Sequence, residues 1–355
     1  MAGSSSARIN SEIPSPWTEY VLSQATSFLR WFVCIVPIPT MAPTILIAGA
    51  TGNTGRGVVE TLSELLETTT TTFSGHRILA LTRSSSGATA QKLAELPNVE
   101  VAEKNWAEIT PDWLRHNNVV RAFIASHMHP NHFAEESTFH LAALTAGVQY
   151  VVRISTTAAN VRPDCPAYYP RTHWALETLL SSPEFQGLRW TSLQPNVFTP
   201  MYLSPAAELV KNFRQTGRQD TLRLMASEDA PVGIIDPYEV GLLAAYLLTQ
   251  DDVTPYDQAK YILNGPEDIT GRQIVTMVEQ YIGTKVEDVR FQDLSFIDHQ
   301  AAQTQESKSV ILSIKRALDT AWEGKCTAST TSKEVFQFAA PKNTPAEVFK
   351  TMLEE

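Results

Sequence analysis

The sequence predicts an α/β fold: a Rossmann-like, doubly wound parallel sheet with a smaller, mainly helical C-terminal substrate lobe. Three observations point to it. Short apolar, β-branched runs alternate with helical patterns from residue 45 to residue 194. A glycine-rich turn, GATGNTG at 49–55, joins the first of these runs to the first helical pattern. After Asp251 the apolar residues recur mostly at helical spacing. Strands that alternate with helices are joined by crossovers, and crossovers make neighbouring strands parallel.

Residues 1–42 read as a flexible N-terminal extension. The first sixteen residues are polar, and the apolar run at 31–39 is interrupted by Pro37 and Pro39. That run is too short to span a bilayer and too far from the start for a secretory signal. It reads as an appendage before Met41, with a weak membrane-surface contact as the alternative.

Residues 43–200 read as the NAD(P)-binding domain. Residues 45–48 form a buried strand, and Gly49 permits the tight turn that follows. Gly52 lets the backbone approach a pyrophosphate, and Gly55 lets the helix pack closely on the strand. Thr51, Asn53 and Thr54 complete a turn and helix N-terminus that offer free N–H groups and a positive dipole end to phosphates. The strand at 76–82 ends in Arg83-Ser84, a guanidinium and a hydroxyl where an NAD site usually carries an acid. This predicts that NADP(H) is preferred over NAD(H). Further buried strands are expected at 99–102, 119–125, 150–155 and 190–194, with helices around 86–95, 110–117, 131–146 and 170–182. Ser126 and His127 stand just past the fourth strand, where doubly wound folds bind ligands. Ser126 is assigned to the cofactor and His127 to the substrate. His129 and His132 complete a histidine-rich loop, but Pro130 breaks any ligand spacing, and no metal site is predicted.

Residues 201–355 read as the substrate or lid lobe, with 231–250, a short strand and an apolar helix, returning to the nucleotide-binding domain. Helices are expected at 274–282, 308–322 and 345–353. A net charge of −10 over 355 residues argues against nucleic acid as the main partner. Cys34, Cys165 and Cys326 lie far apart without metal-ligand spacing and read as free thiols in a reducing, cytoplasmic compartment.

GATGNTG at 49–55, LTRSS at 81–85, VVRISTTAA at 151–159, H-x-x-x-E at 173–177 and TSLQPNVF at 191–198 resemble the NmrA-like family. IIDPYEVGLLAAYLL at 234–248 and the segment 261–286 extend the likeness to this atypical branch of the short-chain dehydrogenase/reductase superfamily, over about 43–350. The resemblance implies one of two functions. One is an NADPH-dependent reductase of a small, largely apolar carbonyl, quinone or imine, in a biosynthetic pathway. The other is a non-catalytic NAD(P)-sensing regulator that binds a protein partner. A candidate proton donor and an aromatic pocket favour the reductase. A small-molecule substrate, no integral membrane association and a monomer or homodimer are expected.

The resemblance also implies site residues. Asn105 takes the place of an acidic residue near adenine, and Pro195 and Asn196 meet the carboxamide. Gln194 replaces the family's usual arginine. Phe198, Met201 and Tyr202 wall an apolar substrate pocket. In AYYPRTHWALETLL at 167–180, Tyr169 and His173 have the spacing of a Tyr-x-x-x-Lys pair. Pro170 biases its predecessor towards extended geometry, so Tyr169 is expected at or before the helix cap, contacting substrate from the loop. His173 and Glu177 share a helix face. The resemblance puts His173 beside the nicotinamide ribose. There it is either a general acid with a pKa near 6.5 or a hydrogen-bond partner of the ribose alone. Glu177 would orient it or cap a neighbouring loop.

Overall fold

The computed structural model describes residues 42–68 and 72–354, so the extension read at 1–41 lies outside the described residues. Strand and helix alternate first through β1 (Thr44–Ala48), α1 (Asn53–Thr68), β2 (Arg77–Thr82), α2 (Ala88–Ala94) and β3 (Val99–Glu103). The alternation continues through α3 (Pro111–His116), β4 (Val119–Ile124), α4 (His132–Ala146), β5 (Tyr150–Ile154), α5 (Tyr168–Leu180) and β6 (Arg189–Pro195).

The C-terminal half holds α6 (Thr199–Thr216), β7 (Leu222–Arg223), α7 (Pro237–Leu248), β8 (Ala259–Leu263), α8 (Gly271–Ile282) and β9 (Val289–Arg290). Five short helices follow: α9 (Ser295–Gln303), α10 (Lys308–Leu312), α11 (Asp319–Trp322), α12 (Val335–Phe338) and α13 (Pro345–Glu354). The sheet is parallel throughout, in the order β3-β2-β1-β4-β5-β6-β8. Strand order therefore reverses between β1 and β4, and the crevice at their carboxyl ends is the topological switch point.

The continuous apolar run of β1 is explained by two covered faces. Ile45 and Ile47 pack with Val58 and Leu62 of α1 and Leu243 and Leu247 of α7. Leu46 and Ala48 enter the opposite cluster with Phe139, Leu180 and Trp190. Helices α1 and α7 cross with almost no side chain between them. A Cβ on Gly241 would stand 2.5 Å from Thr54 O, and one on Gly57 would stand 2.9 Å from Tyr238 O. A separate cluster organises the lobe, where Leu203 and Val210 of α6 meet Ile274 and Val278 of α8 and Phe349 of α13. Among the described residues no helix is long and apolar enough to cross a membrane.

Three expectations need correction. The short strand read near 231–235 is only a pair of isolated bridges, Val232 to Ile269 and Phe198 to Ile235. The single helix read at 308–322 is broken into α10, a 3-10 stretch at Ser313–Leu318 and α11. The sheet also contains a strand the reading lacked, β8, paired with β6. Its outer edge is covered by Thr331 and Ser332, which bond Asn264 N, Ile262 N and Ile262 O.

Candidate functional site

The turn after β1 is built from glycines that nothing else can replace. Gly49 has φ +87°, and a Cβ there would stand 2.9 Å from Ala125 O. A Cβ on Gly55 would collide with Gly49 O at 2.1 Å. Gly52 N donates to Gly49 O, and the helical ladder opens with Arg56 N donating to Gly52 O. The N–H groups of residues 53–55 therefore have no intrahelical acceptor, and Gly52 and Asn53 are exposed. Thr54 and Gly55 are buried against the strand, and Thr51 Oγ1 lies 3.5 Å from Thr82 Oγ1. This cradle fits a dinucleotide pyrophosphate.

Beyond β2, Arg83 is exposed and makes no side-chain bond to any described residue. Ser84 Oγ meets Ser86 Oγ at 3.0 Å. An acid that the sequence reading did not place here comes from β3. Glu103 accepts from Ser85 N at 3.0 Å and Ser85 Oγ at 3.1 Å. It ties down the loop beside the exposed Arg83. Asn105 is used differently from the expectation. Its Oδ1 caps the next turn by accepting from Ala107 N, and its Nδ2 donates to Glu108.

At the carboxyl ends of β4 and β5 lies a buried polar cluster. Ser126 Oγ, His132 Nε2 and Glu136 Oε2 form a triangle with sides of 2.6, 2.6 and 2.5 Å. Glu136 Oε1 accepts from Arg153 Nε at 2.6 Å and His140 Nε2 at 3.1 Å. Glu136, His140 and Arg153 are fully buried. Burial alone would raise the Glu136 carboxyl, but Arg153 and the bonds from His132 and His140 outweigh it and hold it well below the usual range. Burial lowers His140. Ser126 thus directs its hydroxyl into the cluster, where His132 and Glu136 engage it. His127, half-buried, donates to Glu135 at 2.5 Å and stacks near Trp106 with ring centroids 5.7 Å apart. Among the described residues no His, Cys, Asp and Glu group converges as a metal site.

His173 is 4% exposed. Its Nδ1 lies 2.9 Å from Arg153 Nη2, and its ring meets that of His132 edge-on at 4.8 Å. Burial first, then Arg153 and His132, hold it well below the ordinary imidazole value. These surroundings disfavour the protonated ring, which weighs against the general-acid alternative and leaves that of a hydrogen-bond partner to the ribose. Glu177 touches His173 only through Arg153, whose Nη1 stands 3.7 Å from Glu177 Oε1. Its carboxylate accepts from Ser192 Oγ and Gln194 Nε2 and pairs with Lys260 at 3.2 Å.

Tyr169 also departs from expectation. Helix α5 begins at Tyr168, so Tyr169 and Pro170 both lie in its first turn and Tyr169 is one turn below His173. Proline is tolerated there because first-turn N–H groups have no intrahelical acceptor to lose. The two rings stand edge-on at 6.5 Å. The Tyr169 hydroxyl bonds the Thr156 side chain, and burial pushes it up to about 12. Ser155, beside Thr156, carries a buried hydroxyl with no partner among the described residues. The sequence assigns no role to Ser155 or Thr156, although both stand in VVRISTTAA and immediately follow β5.

The apolar pocket does not form as read. Phe198 packs on the sheet core, Met201 is 50% exposed, and Tyr202 is 1% exposed inside the lobe. Pro195 ends β6. The Asn196 amide nitrogen is within bonding distance of Gly233 O, Asn264 Oδ1 and Cys326 O, so it holds three segments together. A cavity of about 310 Å³ lies instead among Thr157, Gln194, Asn196, Asn264, Lys325 and Cys326.

A parallel sheet with a glycine cradle at its switch point defines a Rossmann-type dinucleotide-binding protein. The chain belongs to the NmrA-like family, whose profile matches residues 41–307. A search of curated protein sequences finds no significant match. Among solved structures it is similar to the NADPH-dependent quinone oxidoreductase of Escherichia coli complexed with NADPH. That match has a TM-score of 0.64 and 19% identity, and covers 87% of this chain and 99% of the other. The Citrobacter sp. triphenylmethane reductase complexed with NADP(H) matches with a TM-score of 0.62 and 20% identity, covering 87% and 100%. An isoflavone reductase matches with a TM-score of 0.59 and 15% identity, covering 88% and 99%. At these identities the likeness establishes the shared fold.

Proposed function

We propose that this protein is an NADP(H)-dependent oxidoreductase that reduces a small carbonyl, quinone or imine. The observation that carries the reading is the pairing of a glycine cradle with two donors, Tyr169 and His173, one turn apart on α5. The names of two similar structures, an NADPH-dependent quinone oxidoreductase and a triphenylmethane reductase with NADP(H), support it. Residues 49–55 would hold the pyrophosphate, and Arg83 with Ser84 the 2′-phosphate. NADPH, when bound, supplies the hydride.

The protein's own part is to place the acceptor and deliver the proton. Tyr169 stays protonated at neutral pH and gives its proton to the oxygen or nitrogen that gains charge as hydride arrives. His173, being neutral, serves as a hydrogen-bond donor to the ribose or substrate. The cavity beside Gln194 and Lys325 has a mainly apolar wall that also carries amide, hydroxyl and ammonium groups, which suits a largely apolar substrate with a few polar atoms.

The test is calorimetric binding of NADPH together with single-turnover NADPH oxidation against quinones, ketones and iminium compounds. Oxidation well above background is expected. Tight NADPH binding with no oxidation across the panel would instead identify a dinucleotide sensor.

A further inference from the structure

We propose that Arg153 is a positioning residue that fixes His173 in one neutral tautomer, with Nδ1 accepting and Nε2 protonated. The cleft then always meets a donor there and never an imidazolium. This rests on the reductase reading only for its purpose; the geometry stands by itself.

A guanidinium carries five N–H donors, no acceptor, and does not lose its charge in a protein. The 2.9 Å contact from Arg153 Nη2 to His173 Nδ1 therefore has one polarity, with Nδ1 the acceptor. A neutral imidazole has one protonated nitrogen, so the proton is on Nε2. Nε2 has no partner among the described residues, and it is not one of the sealed, unpartnered atoms of the interior. It is therefore the ring atom left free to donate.

The guanidinium cannot swing away from this role, because each of its other nitrogens is also held. Nε donates to Glu136 Oε1 at 2.6 Å and Nη1 to Ser192 Oγ at 3.0 Å, with Glu177 Oε1 at 3.7 Å. Three elements pack on His173, and the cations among their groups favour the neutral ring. Strand β5 contributes Arg153, α4 contributes His132 at a ring distance of 4.8 Å, and α5 contributes the uncharged Tyr169 ring at 6.5 Å. Among the described residues Glu136 is the acid that opposes this, and it is outweighed by burial, Arg153 and His132; its carboxylate already accepts from Arg153, His132, His140 and Ser126. Protonating His173 would put a second cation beside a fixed one in a dry site. The device makes the donor at this position insensitive to pH where a free histidine would switch.

The decisive measurement is imidazole ¹⁵N NMR on histidine-labelled full-length protein, with His173 assigned by His173→Gln. The expected spectrum shows one tautomer, Nε2 protonated, with shifts that do not move between pH 5 and 8. The double variant Arg153→Met/Glu136→Gln removes both members of the buried pair, which avoids stranding a carboxylate. In that variant His173 should show mixed tautomers and titrate inside this range. A wild-type His173 that titrates or populates both tautomers would overturn the proposal, and so would an unchanged His173 in a folded double variant. If the double variant does not fold, the wild-type spectrum decides alone. Failure of the reductase reading is read separately, as absent NADPH oxidation with the tautomer still fixed.

Discussion

On the proposed function, cofactor choice turns on Arg83, which is exposed, without a partner among the described residues and next to Ser84. Removing one bidentate phosphate contact should weaken NADPH binding by about 1.5–3 kcal/mol. Arg83→Ala is therefore expected to lose at least tenfold in NADPH affinity by calorimetry while NADH affinity hardly changes. Equal NADPH and NADH affinities in the wild type would remove the assignment. At the other end of the cleft, Tyr169→Phe deletes the proton source but keeps the ring. Single-turnover oxidation should slow by about a hundredfold or more, with NADPH affinity kept. With the phenol raised to about 12, wild-type turnover should not fall through loss of this proton below pH 10. The glycine turn and Arg83 were legible because backbone sterics and a lone guanidinium leave marks in the sequence itself. Tyr169 was misplaced because a proline at the third helical position looks the same in sequence as one at the first. The partners of Asn196 come from segments up to 130 residues away, which no local pattern reveals. Those of Ser126 lie six and ten residues on, but the sequence does not say that His132 and Glu136 turn inward together. Arg153 left one signal, a charge inside the buried run VVRIS, and that signal asks for a buried carboxylate without saying which.

Among the elements, α1 and α7 cross at a close joint. Gly241→Ala would press a methyl against Thr54 O at 2.5 Å, a backbone atom with nowhere to go. Urea denaturation should show a loss of about 1–3 kcal/mol, and the attached cofactor turn should bind NADPH more weakly. A variant as stable as the wild type would mean that the helices can slide apart freely. Elements covered on both faces were easy to see in the sequence, since β1, β4 and β5 are near-continuous apolar runs. Strand β8 was not, because Lys260 reaches out to Glu177 at 3.2 Å and breaks the run into an alternation five residues long. The stretch 308–322 reads as one helix by spacing, but spacing does not register the 3-10 tightening at Ser313–Leu318.

For the whole molecule, the buried histidines set the acid limit of stability. His140 and His173 are both held below their ordinary value in the folded state. Below about pH 6.5 the unfolded chain binds protons that the native chain refuses, so stability falls as pH falls. The slope approaches about 1.4 kcal/mol per pH unit for each histidine, and above pH 7 neither contributes. Glu136 adds a further loss only below about pH 4.5, where its unfolded counterpart takes up a proton. Urea midpoints should therefore drop from pH 7 to pH 5, and His140→Gln should flatten the drop; an unchanged slope would exclude His140 as a source. Strand β8 has a consequence for synthesis. It is the seventh strand of the sheet but follows α6 and α7 in the chain, so a nascent polypeptide holds β6 as a bare edge until residue 263 has emerged. The ribosome thus exposes a row of unpaired N–H and C=O groups for the time taken to make more than sixty residues, and a fragment truncated at residue 200 should aggregate where residues 42–354 remain monodisperse.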